Sequence, residues 1–371
     1  MSTTSTLQQA WRHERDQPDE ATPTSPIFGD VQRMLIVRDD RLGDLVVSLP
    51  AIHQLRRRYP EAEIALLVQP GLQSLAASVS GISKVLVNSG SFGDKVARIR
   101  RFDPQLAVAI SRRAETAWQL YRAAVPHRVG TARRWFSPLF SRRVEGSRRQ
   151  AGAHEVDYAI EFAQAAGATD SQRRFDLELS DEARGYAADW CRRGGLDSNL
   201  LILHPGSGGS CPAWPLARWA ELIRLLQARG EPFVVSRGPA DRAAIATLRA
   251  ELDPFPCFEG ELMQLAALLE GARGVVSNST GPIHLAAALG SPTLAIHAPW
   301  TSCAAARWAP YDDRGYALVV GEGQARGWSR RRRRRLGEAL LGQLSASELL
   351  ATLDRLAAAG GGWIEGAAGV H

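Results

Sequence analysis

The fold of this chain is decided by residues 275–299, which read VVSNSTGPIHLAAALGSPTLAIHAP. Val275 and Val276 end a short apolar run with the length and composition of a buried parallel strand. Small, turn-forming residues follow. Pro282 then stands where the first turn of a helix tolerates a proline, because that position needs no N–H group. Thr293–Ile296 has the composition of another strand. The stretch therefore predicts a strand, a loop, a helix and a second strand.

The loop of this stretch, Ser277–Gly281, ends where the predicted helix begins. Free backbone N–H groups and the positive end of the helix dipole make a helix N-terminus suited to a phosphate or pyrophosphate. A well-capped structural turn between a strand and a helix explains the same residues without any ligand. On this stretch alone, both interpretations stay open.

Composition places the chain among soluble globular proteins. Its 371 residues suffice for two domains of ordinary size, with 45% hydrophobic and 23% charged residues. Apolar runs fall short of a membrane span and the N-terminus lacks a secretory core, so we expect a cytoplasmic protein. The four cysteines are far apart and form no CxxC pair, which predicts scattered free thiols and neither a zinc site nor a disulfide framework.

The net charge of +6 is unevenly distributed. Arginines cluster between Arg112 and Arg149, and a second run covers Arg330–Arg335. A basic surface fits nucleic acid, an anionic membrane surface or an anionic substrate. Because no aromatic-interleaved recognition motif accompanies the arginines, we expect no nucleic-acid partner. A solvated basic surface without a ligand is the alternative for the second run.

Strands and helices alternate along the chain in two runs. The first begins with the strand Met34–Val37 and the loop Asp39–Asp44, and the second with Leu200–Leu203 and the loop His204–Ser210. This alternation predicts two doubly wound, Rossmann-like α/β domains, which we expect to face each other across a cleft. The polar loops follow strands, and ligands of such sheets bind at the carboxyl ends of the strands.

Domain boundaries follow from the same pattern. Residues 1–32 are polar and aperiodic, which predicts a poorly ordered N-terminal extension. The two domains are expected over 33–175 and 176–344, followed by a C-terminal helix and tail over 345–371. Ser345 and Glu348 have the spacing of a capping box at the start of that helix.

Four motifs in this order resemble glycosyltransferase family nine, the bacterial heptosyltransferases. They are RDDRLGDLVVSLPAIHQLRRRYPEAEI at 38–64, LILHPGSGG at 201–209, SRGPAD at 236–241 and the stretch at 275–299. The resemblance implies a GT-B fold, with an acceptor-binding N-terminal domain and a nucleotide-sugar-binding C-terminal domain. It also implies inverting transfer of heptose from ADP-heptose to the inner core of lipopolysaccharide, with neither a metal nor another cofactor.

The resemblance also assigns roles to residues. Asp44 matches the aspartate of the LGD motif, which is taken as the catalytic base; a plain helix-start carboxylate is the alternative. For Asp39 and Asp40 we expect only solvation of the loop. The implied donor-binding residues are His204, Gly206, Ser207, Gly208, Arg237, Asp241, Ser279, Thr280, Gly281 and His284. Independently of the resemblance, arginines cluster in the half of the chain that carries this base, so we expect an anionic acceptor to bind at Arg41, Arg112, Arg133 and Arg134.

The chain departs from the family pattern at three positions. Ser279 stands where the family has an acidic residue near the donor sugar. Pro212 and Ala213 precede Trp-Pro where a Lys or Arg is usual, and Arg237 replaces a usual glycine and is a candidate for the missing cation.

These departures keep three functions open. The first is heptose transfer to the lipopolysaccharide core, with a glycolipid or oligosaccharide acceptor and peripheral association with the inner membrane. The second is transfer from another nucleotide sugar or to another acceptor. The third is a catalytically silent homologue that binds a nucleotide sugar or a glycan.

Overall fold

The computed structural model describes residues 6–9, 28–146, 153–196, 199–209, 211–299, 303–321 and 329–359. The chain divides into two compact units. The N-terminal unit is Glu14–Glu178, and the C-terminal unit is Leu179–His371 together with Met1–His13. The division lies close to the expected boundary at 175/176.

The first strand, β1 (Thr6–Gln9), belongs to the C-terminal unit, where it pairs antiparallel with residues 316–319. These four residues differ from the expectation of a poorly ordered extension over 1–32. The physical reason is that the edge of a sheet offers unpaired N–H and C=O groups to any nearby extended segment. The rest of that extension up to residue 27, and the tail over 360–371, lie outside the described residues.

The N-terminal unit is built on a six-stranded parallel sheet. In chain order its strands are β2 (Arg33–Val37), β3 (Glu63–Val68), β4 (Lys84–Val87), β5 (Leu106–Ala109), β6 (His127–Thr131) and β7 (Arg142–Val144). Their order in the sheet is β4-β3-β2-β5-β6-β7, so the strand order reverses between β2 and β5. The helices are α1 (Leu42–Val46), α2 (Leu49–Arg58), α3 (Gln73–Ala77), α4 (Phe92–Phe102), α5 (Ala114–Arg122) and α6 (Glu155–Ala165).

The C-terminal unit repeats this plan. Its further strands are β8 (Leu201–His204), β9 (Phe233–Ser236), β10 (Cys257–Phe258), β11 (Gly274–Asn278), β12 (Thr293–His297) and β13 (Gly315–Val319), and β1 joins β13 in the order β1-β13-β12-β11-β8-β9-β10. All pairs but β1–β13 are parallel. The helices are α7 (Asp181–Arg193), α8 (Leu216–Arg229), α9 (Arg242–Glu251), α10 (Leu262–Glu270), α11 (Gly281–Ala288), α12 (Ala305–Trp308), α13 (Arg330–Leu341) and α14 (Ala346–Ala358).

Burial explains why the predicted elements form. In β2, Met34 to Val37 are fully buried, as expected of a strand covered on both faces. Helix α14 begins with the predicted capping box, since the Ser345 Oγ accepts from the Glu348 N–H at 3.2 Å. Its leucines join the core of the C-terminal unit, so this helix is part of that unit. The predicted class, two doubly wound α/β units, is confirmed.

Within the described residues, no helix is both long and apolar enough to span a bilayer.

Candidate functional site

Asp44 lies in the first turn of α1, in the segment that follows β2. Its Oδ2 accepts a hydrogen bond from the backbone N–H of Arg41 at 3.3 Å. Its Oδ1 lies 3.2 Å from Nη2 of Arg38, a guanidinium that is only 2% exposed. The Asp44 side chain itself is 25% exposed. The fold therefore fixes the orientation of the proposed base and leaves part of the carboxylate accessible.

The two acids before Asp44 differ in their environments. Asp39 is fully buried, and its Oδ2 accepts hydrogen bonds from Asn88 at 2.7 Å and Thr116 at 3.1 Å. The expectation that Asp39 only solvates the loop was therefore wrong, because it joins β2 to two neighbouring segments. Asp40 forms an ion pair with Arg38 at 2.8 Å. Burial raises the pKa of Asp40, and the Arg38 guanidinium partly opposes that rise.

The predicted acceptor arginines lie beyond the carboxyl ends of strands in the same unit. Arg112 follows β5 and stands over the Tyr158 ring at 5.8 Å. Arg133 and Arg134 follow β6, and both are exposed. Arg133 forms an ion pair with Glu145 at 3.2 Å. Because the strands are parallel, these arginines share one edge of the sheet with Arg41, which is also exposed.

The predicted donor loops are held together at the carboxyl edge of the other sheet. Strands β8 and β11 are neighbours, with His204 beside Ser277. The Ser277 hydroxyl donates to the His204 carbonyl at 3.1 Å and lies 3.0 Å from the Thr280 hydroxyl. Asn278 donates to the Pro205 carbonyl at 2.8 Å and accepts from the Trp214 N–H, also at 2.8 Å. The loop after β8 is thus tied to the end of β11.

Helix α11 starts at Gly281 as the sequence predicted, with Pro282 in its first turn. The Thr280 side chain makes no capping hydrogen bond, and its hydroxyl instead contacts that of Ser277. Ser279, Thr280 and Gly281 are all half-buried. The eight-residue helix therefore presents its N-terminus and dipole at this edge of the sheet, as an anion site requires.

His204 and Asp241 form a buried pair beneath the loop. His204 Nδ1 lies 2.9 Å from the Ser236 hydroxyl, and Nε2 lies 3.7 Å from Asp241 Oδ2. Burial lowers the pKa of His204, so the imidazole is neutral at pH 7. Asp241 also accepts from the Gly238 N–H at 2.9 Å. A Cβ at Gly206 would lie 2.1 Å from Asp241 Oδ1, so only glycine fits at this position.

The remaining predicted donor residues differ in accessibility. Ser207 is half-buried and Gly208 is exposed, with a positive φ of 53° that favours glycine. His284 is buried in α11, with its ring 5.7 Å from that of Trp308. Arg237, the candidate replacement cation, forms an ion pair with Glu259. Ser210, at the end of the predicted loop, lies outside the described residues.

Cys211 and Cys303 form a disulfide, with a Cα–Cα distance of 6.1 Å. The expectation of four free thiols was therefore wrong; Cys191 and Cys257 are the free pair. The two bonded cysteines follow β8 and β12, which end at the same edge of the sheet. Their proximity is a consequence of topology, which the separation of 92 residues conceals in the sequence. The bond fastens the loop after β8 to the segment after β12.

Sequence reasoning also missed Arg38 and Asn278, which organise the two loops. Both stand at a strand end, Arg38 directly after β2 and Asn278 as the last residue of β11. A polar residue at the carboxyl end of a parallel strand is the signal that could have identified them.

Among the described residues, no group of three or more His, Cys, Asp or Glu side chains could hold a metal ion. The N-terminal unit carries an oriented, partly exposed carboxylate, and the C-terminal unit carries a helix start suited to an anion.

Comparisons with known proteins agree with this description. Residues 100–335 match the model of glycosyltransferase family 9 (heptosyltransferase). The chain is 27% identical to lipopolysaccharide heptosyltransferase 1 of Pseudomonas aeruginosa over 289 residues, which covers 72% of this chain and 79% of that protein. It is 25% identical to a protein of Haemophilus influenzae named putative glycosyltransferase over 308 residues, 76% of this chain and 87% of the other.

A solved structure confirms the fold. The structure of E. coli ADP-heptose lps heptosyltransferase II superposes with a TM-score of 0.70, at 21% identity, over 87% of this chain and 98% of the other. This superposition on a heptosyltransferase supports the expected GT-B fold. Since the family model spans well over half of the sequence, this chain belongs to glycosyltransferase family 9.

Proposed function

We propose that this chain transfers heptose from ADP-heptose to a saccharide of the lipopolysaccharide inner core, with inversion at the anomeric carbon. The observation that carries the proposal is the Asp44 carboxylate, held by a buried arginine and partly exposed beyond the end of β2. The names of relatives support the sugar and the acceptor, since they are lipopolysaccharide heptosyltransferases.

In the proposed reaction Asp44 acts as the general base. It takes the proton of an acceptor hydroxyl while that oxygen forms a bond to the anomeric carbon of the donor. The bond from that carbon to the diphosphate breaks, and the nucleoside diphosphate leaves with the electron pair. General-base catalysis requires a carboxylate that can reach the hydroxyl, and the accessible part of Asp44 meets this need.

The leaving diphosphate is proposed to bind at the start of α11. The backbone N–H groups of Gly281 and its neighbours, with the helix dipole, would stabilise the charge that develops as the bond breaks. The loop containing Gly206, Ser207 and Gly208 would approach the nucleotide, since glycines permit close contact. His204 and Asp241 would support this loop from below, because both are buried against it.

Specificity for the sugar is proposed to depend on Ser279, Arg237 and His284. The Ser279 hydroxyl can donate one hydrogen bond to a sugar and can also accept, whereas a carboxylate could only accept. Glu259 already balances the charge of Arg237, so this cation would attract the donor less strongly than an unpaired one would. The identity of the nucleotide sugar is therefore the first quantity to measure.

The acceptor is proposed to be anionic and to lie at the edge that carries Arg41, Arg112, Arg133 and Arg134. Trp135 follows these last two arginines and is 75% exposed. An exposed tryptophan flanked by arginines fits the interface of an anionic membrane, where a lipid-linked acceptor would be found. We therefore propose a cytoplasmic enzyme that associates peripherally with the inner membrane.

The proposal is tested by incubating the protein with ADP-heptose, UDP-sugars and GDP-sugars, with and without a heptose-deficient core oligosaccharide. The expected result is release of ADP that depends on the acceptor and is lost in the Asp44→Asn variant. Release of UDP or GDP instead would assign another donor. No release from ADP-heptose with the core acceptor would contradict the proposed function.

A silent nucleotide-sugar-binding homologue is the second candidate. It is favoured by the pairing of Arg237 with Glu259, because the carboxylate offsets the charge that this cation would present to the diphosphate. Titration of ADP-heptose, together with the release assay, distinguishes the two candidates. A silent homologue binds the donor but releases no ADP when the acceptor is present.

A further inference from the structure

Arg38 is a buried cation at the point where the strand order of the N-terminal sheet reverses. It is the first residue after β2, and its side chain is 2% exposed. Ligand sites of doubly wound sheets form at such reversal points. A buried charge must be balanced by partners, because removing it from water is costly. The groups that contact the guanidinium therefore indicate the role of Arg38.

The guanidinium is held on several sides. Nη1 donates to Asp40 Oδ2 at 2.8 Å and lies 3.4 Å from the Ile110 carbonyl. Nη2 donates to Asp44 Oδ1 at 3.2 Å, while Nε donates to the backbone carbonyl of Asp44 at 2.9 Å. Arg38 thus grips both the side chain and the backbone of Asp44. Its rigid planar fork suits it to this task, which a lysine ammonium cannot reproduce.

The electrostatic surroundings keep Arg38 charged. Burial by itself would lower the pKa of Arg38, but Asp44, Asp40 and Glu155 raise it above its ordinary value. Glu155 and Tyr158 face it from α6, and the other charged groups around the cluster are Asp39, Arg41, Arg112 and Arg113. Arg38 is consequently a permanent cation shared between two partly exposed carboxylates.

We propose that Arg38 is the positioning residue of the base, a role that rests on the proposed transferase function. It fixes the plane of the Asp44 carboxylate by holding Oδ1, while the Arg41 N–H contacts Oδ2. The part of the carboxylate that these contacts leave accessible faces the acceptor hydroxyl. Asp40 anchors the far side of the guanidinium and so sets how strongly Arg38 acts on Asp44.

Two substitutions should shift the pH dependence of transfer in opposite directions. An opposite charge within about 4–6 Å favours an ionised carboxylate, commonly by about 1–3 pH units. Arg38→Met removes that charge, so the acidic limb of the pH–rate profile should move to higher pH. Asp40→Asn removes a like charge near Asp44 and a carboxylate that competes for Arg38, so the limb should move to lower pH.

The kinetic constants separate positioning from general instability. Arg38→Met should lower kcat by about 10- to 100-fold, which is less than the roughly 100- to 10,000-fold of a lost acid–base contribution because the base itself is kept, and should leave the dissociation constant of ADP unchanged. Arg38→Lys keeps the charge and should retain the pH profile while losing part of kcat. The matched control is Arg33→Met, at the other end of β2, where Arg33 pairs with Asp103 at 2.6 Å on the surface. The control should change neither kcat nor the dissociation constant of ADP.

A readout independent of activity is the ¹⁵N NMR signal of the Arg38 Nε–H group. In the wild type this signal should exchange slowly with solvent, and Asp40→Asn or Asp44→Asn should displace it, whereas Asp103→Asn should not. If these variants displace the signal but the wild type shows no transferase activity, the proposed function is wrong and the contacts of Arg38 still hold. An Arg38 Nε–H signal that stays in place in Asp40→Asn and Asp44→Asn would overturn the positioning role. The same follows if the acidic limb of the pH–rate profile moves in the same direction in Arg38→Met and Asp40→Asn. If Arg38→Met fails to fold, Arg38→Lys and Asp40→Asn carry the same test.

Discussion

Loss of the Cys211–Cys303 disulfide should destabilise the C-terminal unit. The bond closes a loop with a sequence separation of 92, which contains strands β9 to β12 and helices α8 to α11. For a loop of this length the chain-entropy model predicts a loss of about 4–5 kcal/mol in the free energy of unfolding. With an m-value of about 2 kcal/mol per molar urea, the unfolding midpoint should fall by about 2 M.

Urea unfolding of the Cys211→Ser variant and of the oxidised wild type is the assay. Tryptophan fluorescence suits it, because Trp214 and Trp219 are buried in this unit with ring centroids 5.0 Å apart. The matched controls are Cys191→Ser and Cys257→Ser, which remove free thiols and should leave the midpoint nearly unchanged. Thiol titration of the unfolded, unreduced wild type should count two thiols. Four thiols would show that the bond does not form, and equal midpoints in Cys211→Ser and wild type would show that it does not stabilise the unit.

Three further perturbations test the donor loop and the core beneath it. Gly206→Ala should lower the free energy of unfolding by about 1–3 kcal/mol and weaken ADP binding, because its Cβ would lie 2.1 Å from Asp241 Oδ1. Calorimetry should show both effects, and adding Asp241→Ala should restore the stability by removing the clash. Burial lowers the pKa of His297 to about 4, so only the unfolded chain takes up this proton below about pH 6.5. Stability should therefore fall by about 2 kcal/mol between pH 7.5 and 5, and His297→Gln should remove that part of the loss in urea titrations. Gly281→Val should raise the dissociation constant of ADP at least about tenfold by blocking the approach of phosphate to α11, as measured by calorimetry.

Each of these three has an outcome that would contradict it. Gly206→Ala with wild-type stability would show that the carboxylate of Asp241 moves aside without cost. An identical pH dependence in His297→Gln and wild type would remove that histidine from the acid sensitivity. Equal ADP affinity in Gly281→Val would place the diphosphate elsewhere.

Sequence patterns predicted the elements whose signal is hydrophobic periodicity. Met34–Val37 and Thr293–Ile296 are continuous apolar or β-branched runs, and each lies in a buried strand. The helix after Gly281 was predicted because Pro282 and the alanine-rich segment have clear positional meaning. These local signals suffice for the class of fold and for the loops that carry the candidate site.

Elements without such a signal were missed. Strands β6 and β7 have the sequences HRVGT and RRV. Because these segments contain arginines in place of a continuous apolar run, their sequences do not predict the parallel pair that they form at the edge of the sheet. Helix α13 begins with consecutive arginines, which oppose the helix dipole and so argue against a helix start.

The contacts that organise the candidate site depend on tertiary proximity. The Cys211–Cys303 bond and the hydrogen bonds of Asn278 join segments far apart in the sequence. Arg38 is only six residues from Asp44, yet the contact depends on the turn between β2 and α1. Sequence alone could therefore name the base and the donor loops, but not the residues that hold them in place.

The most direct test of the account is the rate of heptose transfer by the Asp44→Asn variant. The substitution removes the proton acceptor but keeps a side-chain oxygen that can accept from Arg38, so folding should be retained. We predict that transfer from ADP-heptose to the core acceptor falls by about two to four orders of magnitude, with ADP affinity and the unfolding midpoint unchanged. Turnover near that of the wild type would remove Asp44 from the mechanism and contradict the central claim.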